Sequence, residues 1–138
     1  MRFQEEIIIA ASPEKVFSLY KNVSGWSSWD AEVKTSSING SFQSGAFGSL
    51  QPSSGPKAKI IFTEVVNNSS FTVESKLPLC VMRFEHELTP SPSGTKALHK
   101  VTFQGFLAPI FGRLIGSQIR KGLPKTLQGL KRVSEQNS

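Results

Sequence analysis

The sequence predicts an α+β domain in which a curved antiparallel sheet of about six or seven strands wraps around one long terminal helix. Three observations support this prediction. A short alternating run leads into a capped helix, residues 57–105 read as strands separated by turns, and residues 107–135 carry one continuous apolar stripe. The chain has 138 residues, which fits a single domain spanning 1–138.

The first elements are a strand over 2–10 and an amphipathic helix that begins at Ser12. The Ser12 hydroxyl can cap free N–H groups, and Pro13 occupies a position where no N–H is needed. Residues 22–29 predict a second, shorter helix that places Trp26 and Trp29 on one side. These two rings suit either the core or the mouth of a cavity, since each has a large apolar body and one polar atom.

The middle of the chain predicts an antiparallel meander. A serine- and glycine-rich stretch contains two weak strands, near Val33–Asn39 and Phe47–Gln51. Stronger strands follow, and the short turn-rich connections between them favour antiparallel pairing. They span 57–66, 71–77, 81–89 and 95–105.

The terminal helix is apolar on one side and basic on the other. Its apolar positions recur every three or four residues, and they are Leu107, Phe111, Leu114, Ile115, Ile119, Leu123, Leu127, Leu130 and Val133. The formal charge of the chain is +6, and the helix carries most of the excess. Its basic side is either a solvated outer face or a contact with an anionic membrane surface or an acidic protein. Nucleic acid is disfavoured because no aromatic residues interleave with the cations.

Several classes of protein are excluded or disfavoured. A single cysteine, Cys80, excludes an internal disulfide and gives no metal-binding spacing. The acidic residues Glu5 and Glu6 lie where a secretory signal would need an apolar run. No stretch approaches the roughly 20 apolar residues of a membrane span. We therefore expect a cytoplasmic protein, and the sequence predicts no cofactor.

Several segments together resemble the START-like helix-grip superfamily, which includes the birch-pollen allergens and the polyketide cyclase and lipid-transport group. The resemblance is carried by Ile7-x-Ile9-x-Ala11-Ser12-Pro13-Glu14-x-Val16-Phe17, Trp26-x-x-Trp29, Thr63-Glu64-Val65 with Phe71, Gly105, and Leu127-x-x-Leu130-Lys131-x-x-x-Glu135. It spans essentially the whole chain. It implies a sheet wrapped around the terminal helix with an apolar cavity between them, and it indicates fold far better than activity.

Strand alternation brings both histidines of the chain to the apolar face. Met82, Phe84 and His86 share that face in one strand, and His99 lies on it in the next. A turn centred on residues 92 and 93 sets His86 directly opposite His99. Three roles are open for two such imidazoles. They are hydrogen-bonded core residues, they contact a ligand, or they act as a metal-binding or catalytic pair.

Glu64 is a candidate third member of this group. If the neighbouring turns set Glu64 against Val73 and Val73 against His86, one row across the sheet reads Glu64, Val73, His86, His99. The position of Glu64 near a turn favours the alternative that its side chain is solvated. Two histidines and a glutamate fall short of the usual zinc ligand set, so no metal site is predicted.

The main functional hypothesis is binding or transport of a small hydrophobic ligand, such as a lipid, an isoprenoid or an aromatic polyketide. The candidate ligand contacts are Trp26, Trp29, Phe62, Glu64, Met82, Phe84, His86, His99, Val101, Phe103, Phe111, Ile115 and Ile119. An alternative is a polyketide cyclase or hydratase, with His86 as general base and Glu64 or His99 as its partner. A third hypothesis is a protein-docking domain whose interior is filled.

Overall fold

The computed structural model describes residues 1–136. It contains seven strands, two α-helices and one 3₁₀ helix. In chain order these are β1 (Arg2–Ile9), α1 (Pro13–Lys21), the 3₁₀ helix (Val23–Ser28), β2 (Val33–Asn39), β3 (Phe47–Pro52), β4 (Ala58–Val66), β5 (Ser70–Leu77), β6 (Cys80–Ser91), β7 (Gly94–Gln104) and α2 (Ala108–Ser134).

The strands form one antiparallel sheet in the order β1-β7-β6-β5-β4-β3-β2. Apart from β1, which pairs with β7, every strand lies beside its neighbour in sequence, so the meander is confirmed. The long helix α2 packs chiefly against β1 and β7, and α1 lies beside α2. The predicted α+β architecture, with two short helices after the first strand, is therefore confirmed.

The start of α1 follows from its first residues. The Ser12 side chain accepts a hydrogen bond of 3.2 Å from the Lys15 amide, and Pro13 occupies the first turn. The helix buries one face, formed by Val16, Phe17 and Tyr20, against the sheet side of the fold. Capping and apolar spacing therefore act together to place Tyr20 inside.

The register of the last hairpin is the predicted one. Pro90 pairs with Thr95, and His86 pairs with His99. The hairpin between β5 and β6 differs from expectation because Leu79 adopts a left-handed φ of 51°. Leu77 consequently pairs with Cys80 across a tight turn, which places Phe71 rather than Val73 opposite His86.

The interior has two zones. The first is a closed cluster under α1 and the C-terminal half of α2, rich in aromatic rings, to which the half-buried Phe42 adds from the loop before β3. Its largest buried residues are Phe17, Tyr20, Trp26, Trp29, Phe62 and Phe71. The second zone lies under the N-terminal half of α2, where Phe3, Val101 and Phe103 are buried among half-buried apolar residues.

Glycines allow α2 to approach its neighbours closely. A side chain at Gly129 would collide with the backbone carbonyl of Trp29, and one at Gly116 would meet the Phe3 ring. Close to Gly129, the Thr126 hydroxyl donates a hydrogen bond of 2.8 Å to the Asp30 carboxylate. The C-terminal half of α2 is thus held against the segment that follows the 3₁₀ helix. No helix within residues 1–136 is long and apolar enough to cross a membrane.

Candidate functional site

The neighbouring strands β6 and β7 hold the two histidines side by side. Their ring centroids are 4.7 Å apart with an interplanar angle of 76°. His86 also stacks on Phe71, with centroids 3.9 Å apart and planes within 2° of parallel. The predicted opposition of the imidazoles is therefore realised, and an aromatic ring fixes the plane of one of them.

Tyr20 approaches the pair from α1. Its hydroxyl forms a buried hydrogen bond of 2.7 Å with Nε2 of His99. Burial raises the pKa of the Tyr20 hydroxyl, and it lowers the pKa of His99, with a further contribution from the neighbouring His86. Both groups are therefore neutral near pH 7, and each satisfies the other inside an apolar core.

His86 has a defined tautomer. Its Nδ1 lies 3.1 Å from the Phe71 carbonyl oxygen, which can only accept, so Nδ1 carries the proton. Burial lowers the pKa of His86 to about 4, with the Phe71 hydrogen bond acting in the opposite direction. At neutral pH the ring is uncharged, and Nε2 presents a lone pair. Within the described chain, no group donates a hydrogen bond to that Nε2.

His86 is half-buried on the inward face of β6. Its ring is surrounded by protein closely enough to shift its pKa, yet the residue keeps accessible surface. The same partial exposure is found for other inward-facing residues of the sheet and of α2. We call this surface the inner groove, and its residues are Met82, Phe84 and His86 on β6 with Phe111, Ile115 and Ile119 on α2.

Several predicted ligand contacts are instead sealed in the core. Trp26 and Trp29 are each 5% exposed, and Phe62 is fully buried in the aromatic zone. His99 is 3% exposed, while Val101 and Phe103 pack under α2 at 2%. These residues shape the walls behind the groove. A ligand would reach them only by displacing other side chains.

The prediction that Glu64 shares a row with the histidines is wrong. A bulge between Phe62 and Glu64 shifts the β4 register, so that Glu64 pairs with Thr72 and is exposed. The extra residue reverses the alternation, because each added residue turns the following side chains to the opposite face. The row through the histidines contains Val65 and Phe71 instead.

The sequence did not single out Tyr20 or Phe71 as partners of the histidines. Helical spacing places Tyr20 on the apolar side of α1, but spacing along one helix does not identify a partner 79 residues away. The sequence places Phe71 on a strand, but its stacking on His86 depends on the β5–β6 register, which differs from the predicted one.

Two depressions of the described surface lie away from the predicted enclosed chamber. One, of about 560 Å³, lies on the outer face of the sheet between Arg2, Arg83 and Lys100. The other, of about 460 Å³, lies beside α1 and is lined by Phe17, Phe42 and neighbouring polar residues. Neither depression includes the half-buried inward-facing side chains of β6 and α2.

The described residues contain no group of three or more histidine, cysteine or acidic side chains arranged to hold a metal ion. Cys80 is a buried free thiol. The groove-lining residues named above present apolar side chains and one imidazole, that of His86.

Comparison with known proteins agrees with this architecture. A family described as polyketide cyclase / dehydrase and lipid transport matches residues 1–135. No curated protein matches the chain at a significant level.

Similar solved structures include MLL2253 from Mesorhizobium loti, with a TM-score of 0.80, 18% identity, and coverage of 100% of this chain and 99% of that chain. The di-domain ARO/CYC StfQ from the steffimycin biosynthetic pathway gives 0.78 at 12% identity, covering 97% of this chain and 50% of that chain. Ara h 8.0201 gives 0.76 at 12% identity, covering 99% of each. At these identities the similarity concerns the fold.

Proposed function

Because the chain belongs to the polyketide cyclase/dehydrase and lipid transport family, we propose that it binds a small hydrophobic molecule in the inner groove. The observation that carries this proposal is the partial exposure of apolar side chains on both facing walls. Met82 and Phe84 on β6, and Phe111 and Ile115 on α2, keep accessible surface although they point inward. Burial of that surface by a ligand is favourable by roughly 25 cal/mol per Å².

His86 determines which kind of polar group a ligand in the groove should carry. Its Nδ1 is occupied by the Phe71 carbonyl, so the free Nε2 accepts a hydrogen bond and cannot donate one. The ligand therefore carries a hydroxyl or N–H group on an otherwise apolar body. A carboxylate would place its negative charge against a lone pair. A hydroxylated lipid, isoprenoid or aromatic polyketide fits this pattern.

The alternative, a cyclase or hydratase acting in the same groove, is less well supported. A general base works best when its pKa lies near the working pH, whereas burial lowers the pKa of His86 to about 4. Of its two predicted partners, Glu64 lies on the outer face, and His99, which lies beside His86, is hydrogen-bonded to the Tyr20 hydroxyl. Binding needs only the lone pair of His86, and proton abstraction needs a stronger base.

A matched set of naphthalene, 2-naphthol and 2-naphthoate tests the proposal by thermal shift and calorimetry. We expect 2-naphthol to bind about tenfold more tightly than naphthalene, which corresponds to one hydrogen bond of about 1.4 kcal/mol. We expect 2-naphthoate to bind most weakly. His86→Phe should remove the advantage of 2-naphthol while leaving naphthalene binding intact.

Two variants locate the binding site. Ile115→Trp should fill the groove and abolish binding of all three compounds, whereas Phe47→Ser, at an exposed position on β3, should change nothing. Unchanged binding in Ile115→Trp would refute the assignment of the groove. Equal affinity for naphthalene and 2-naphthol in the wild-type protein would refute the role of His86.

A further inference from the structure

Large apolar side chains are exposed around the start of α2. Phe106 is 85% exposed, Leu114 74%, Leu79 68% and Ile110 54%. Single exposed apolar residues are ordinary on protein surfaces, but a contiguous group of them marks an interaction site. We call these four residues the apolar tip.

The four residues lie around the start of α2. Ile110 and Leu114 are one turn apart on the same side of the helix, and Phe106 lies in the turn that leads into it. Leu79 joins them from the β5–β6 turn, because the Leu107 amide donates a hydrogen bond of 3.0 Å to the Leu79 carbonyl. The left-handed backbone of Leu79, with φ of 51°, holds that side chain outward.

The two chain segments that form the apolar tip, 75–82 and 104–134, carry basic residues and no acidic ones. The exposed cations Arg113 and Lys121 share the outer side of α2 with Ile110 and Leu114, and exposed Lys76 lies on β5 beside the turn. Among residues 1–136, none of these three cations forms an ion pair.

We propose that the apolar tip docks the protein on an anionic phospholipid bilayer. Exposed aromatic and aliphatic side chains beside unpaired cations fit the boundary between acyl chains and anionic headgroups. A purely acidic protein surface would engage the cations but would leave Phe106 and Leu114 without an apolar partner. The tip also adjoins the inner groove, since Phe111 and Ile115 lie on the same part of α2. Docking goes beyond the proposed ligand binding and does not depend on it.

Vesicle co-sedimentation with the full chain tests this inference. The probes are vesicles of phosphatidylcholine alone and of phosphatidylcholine with about 30% phosphatidylglycerol. We expect binding to the anionic vesicles to be at least about tenfold tighter and to weaken as salt rises from about 0.1 M to about 0.5 M. The double variant Phe106→Ser/Leu114→Ser should reduce binding to anionic vesicles at least about tenfold.

Phe47→Ser is the matched control, because Phe47 is also a strongly exposed phenylalanine, at 60%, on a distant strand. It should leave vesicle binding unchanged, and unchanged thermal unfolding of every variant shows that the fold is retained. Absence of binding to anionic vesicles would overturn the proposal. So would equal losses in Phe47→Ser and the double variant. Binding of soluble polyglutamate as tight as binding of vesicles, and insensitive to the double substitution, would indicate an acidic protein partner and would also overturn it.

Discussion

Acidification should destabilise the protein through His86. The unfolded-state pKa of a histidine is about 6.5, whereas burial lowers the pKa of His86 in the folded protein to about 4. The unfolded chain therefore takes up a proton at a pH where the folded protein does not. The stability due to the neutral ring is fully present above pH 6.5, and it is lost as the pH falls toward 4.

The size of the effect follows from the two pKa values. Between pH 7.5 and pH 5, linkage with these values gives a loss of about 2 kcal/mol in the free energy of unfolding. His99, whose pKa is also lowered by burial, adds a loss of the same sign. Burial raises the pKa of Asp30. Protonation of this carboxyl therefore stabilises the folded protein and opposes the loss of stability at the acidic end of the range.

Urea unfolding followed by tryptophan fluorescence at a series of pH values measures this dependence. The matched variant is His86→Phe, which keeps a ring to stack on Phe71 and removes the titrating group. Its unfolding free energy should fall by about 2 kcal/mol less than that of the wild type over the same range. Subtracting the two curves cancels the contribution of Asp30. Identical pH dependence in the two proteins would refute the conclusion that His86 is held neutral by burial.

Three further predictions concern packing and hydrogen bonding. Gly129→Ala should lower the free energy of unfolding by about 3 kcal/mol, because its methyl group would collide with the Trp29 backbone carbonyl. In Gly122→Ala the methyl group meets only the end of a flexible glutamate side chain, so urea unfolding should show a change within about 1 kcal/mol. Trp26→Phe should cost about 1 kcal/mol more than Trp29→Phe. Only the Trp26 indole donates a hydrogen bond, of 3.0 Å to the Tyr20 carbonyl, whereas the Trp29 Nε1 has no partner among the described residues. Comparable losses for the two tryptophan variants would contradict that reasoning.

The parts of the fold that follow from local chemistry could be predicted from the sequence. Ser12 and Pro13 set the start of α1, and the apolar stripe defines α2 to within a residue at each end. The short turn after Pro90 allows few registers, so the pairing of His86 with His99 was also predictable. In each case the determining residues lie close together in the sequence.

The parts of the site that were missed depend on backbone irregularities or on distant contacts. Nothing in the residue types marks the bulge before Glu64, which reverses the direction of that side chain. A left-handed conformation is uncommon for leucine, so the tight turn at Leu79 was not anticipated. The pairing of Tyr20 with His99 requires the relative placement of α1 and the sheet, which periodicity along one element does not contain.

The unequal attachment of α2 has a consequence for the proposed binding of ligands of different size. Near its C-terminal end the helix meets rigid backbone at Trp29 and is held by the Thr126 hydroxyl. Near its N-terminal end, Gly112 and Gly116 meet only the side chains of Met1 and Phe3. Expansion of the interior is therefore easiest at the N-terminal end, and a bulky guest should increase amide hydrogen exchange in residues 108–116 while leaving residues 126–134 protected. Because α2 yields more easily at its N-terminal end, this small domain could bind molecules of varied shape while its aromatic core stays packed.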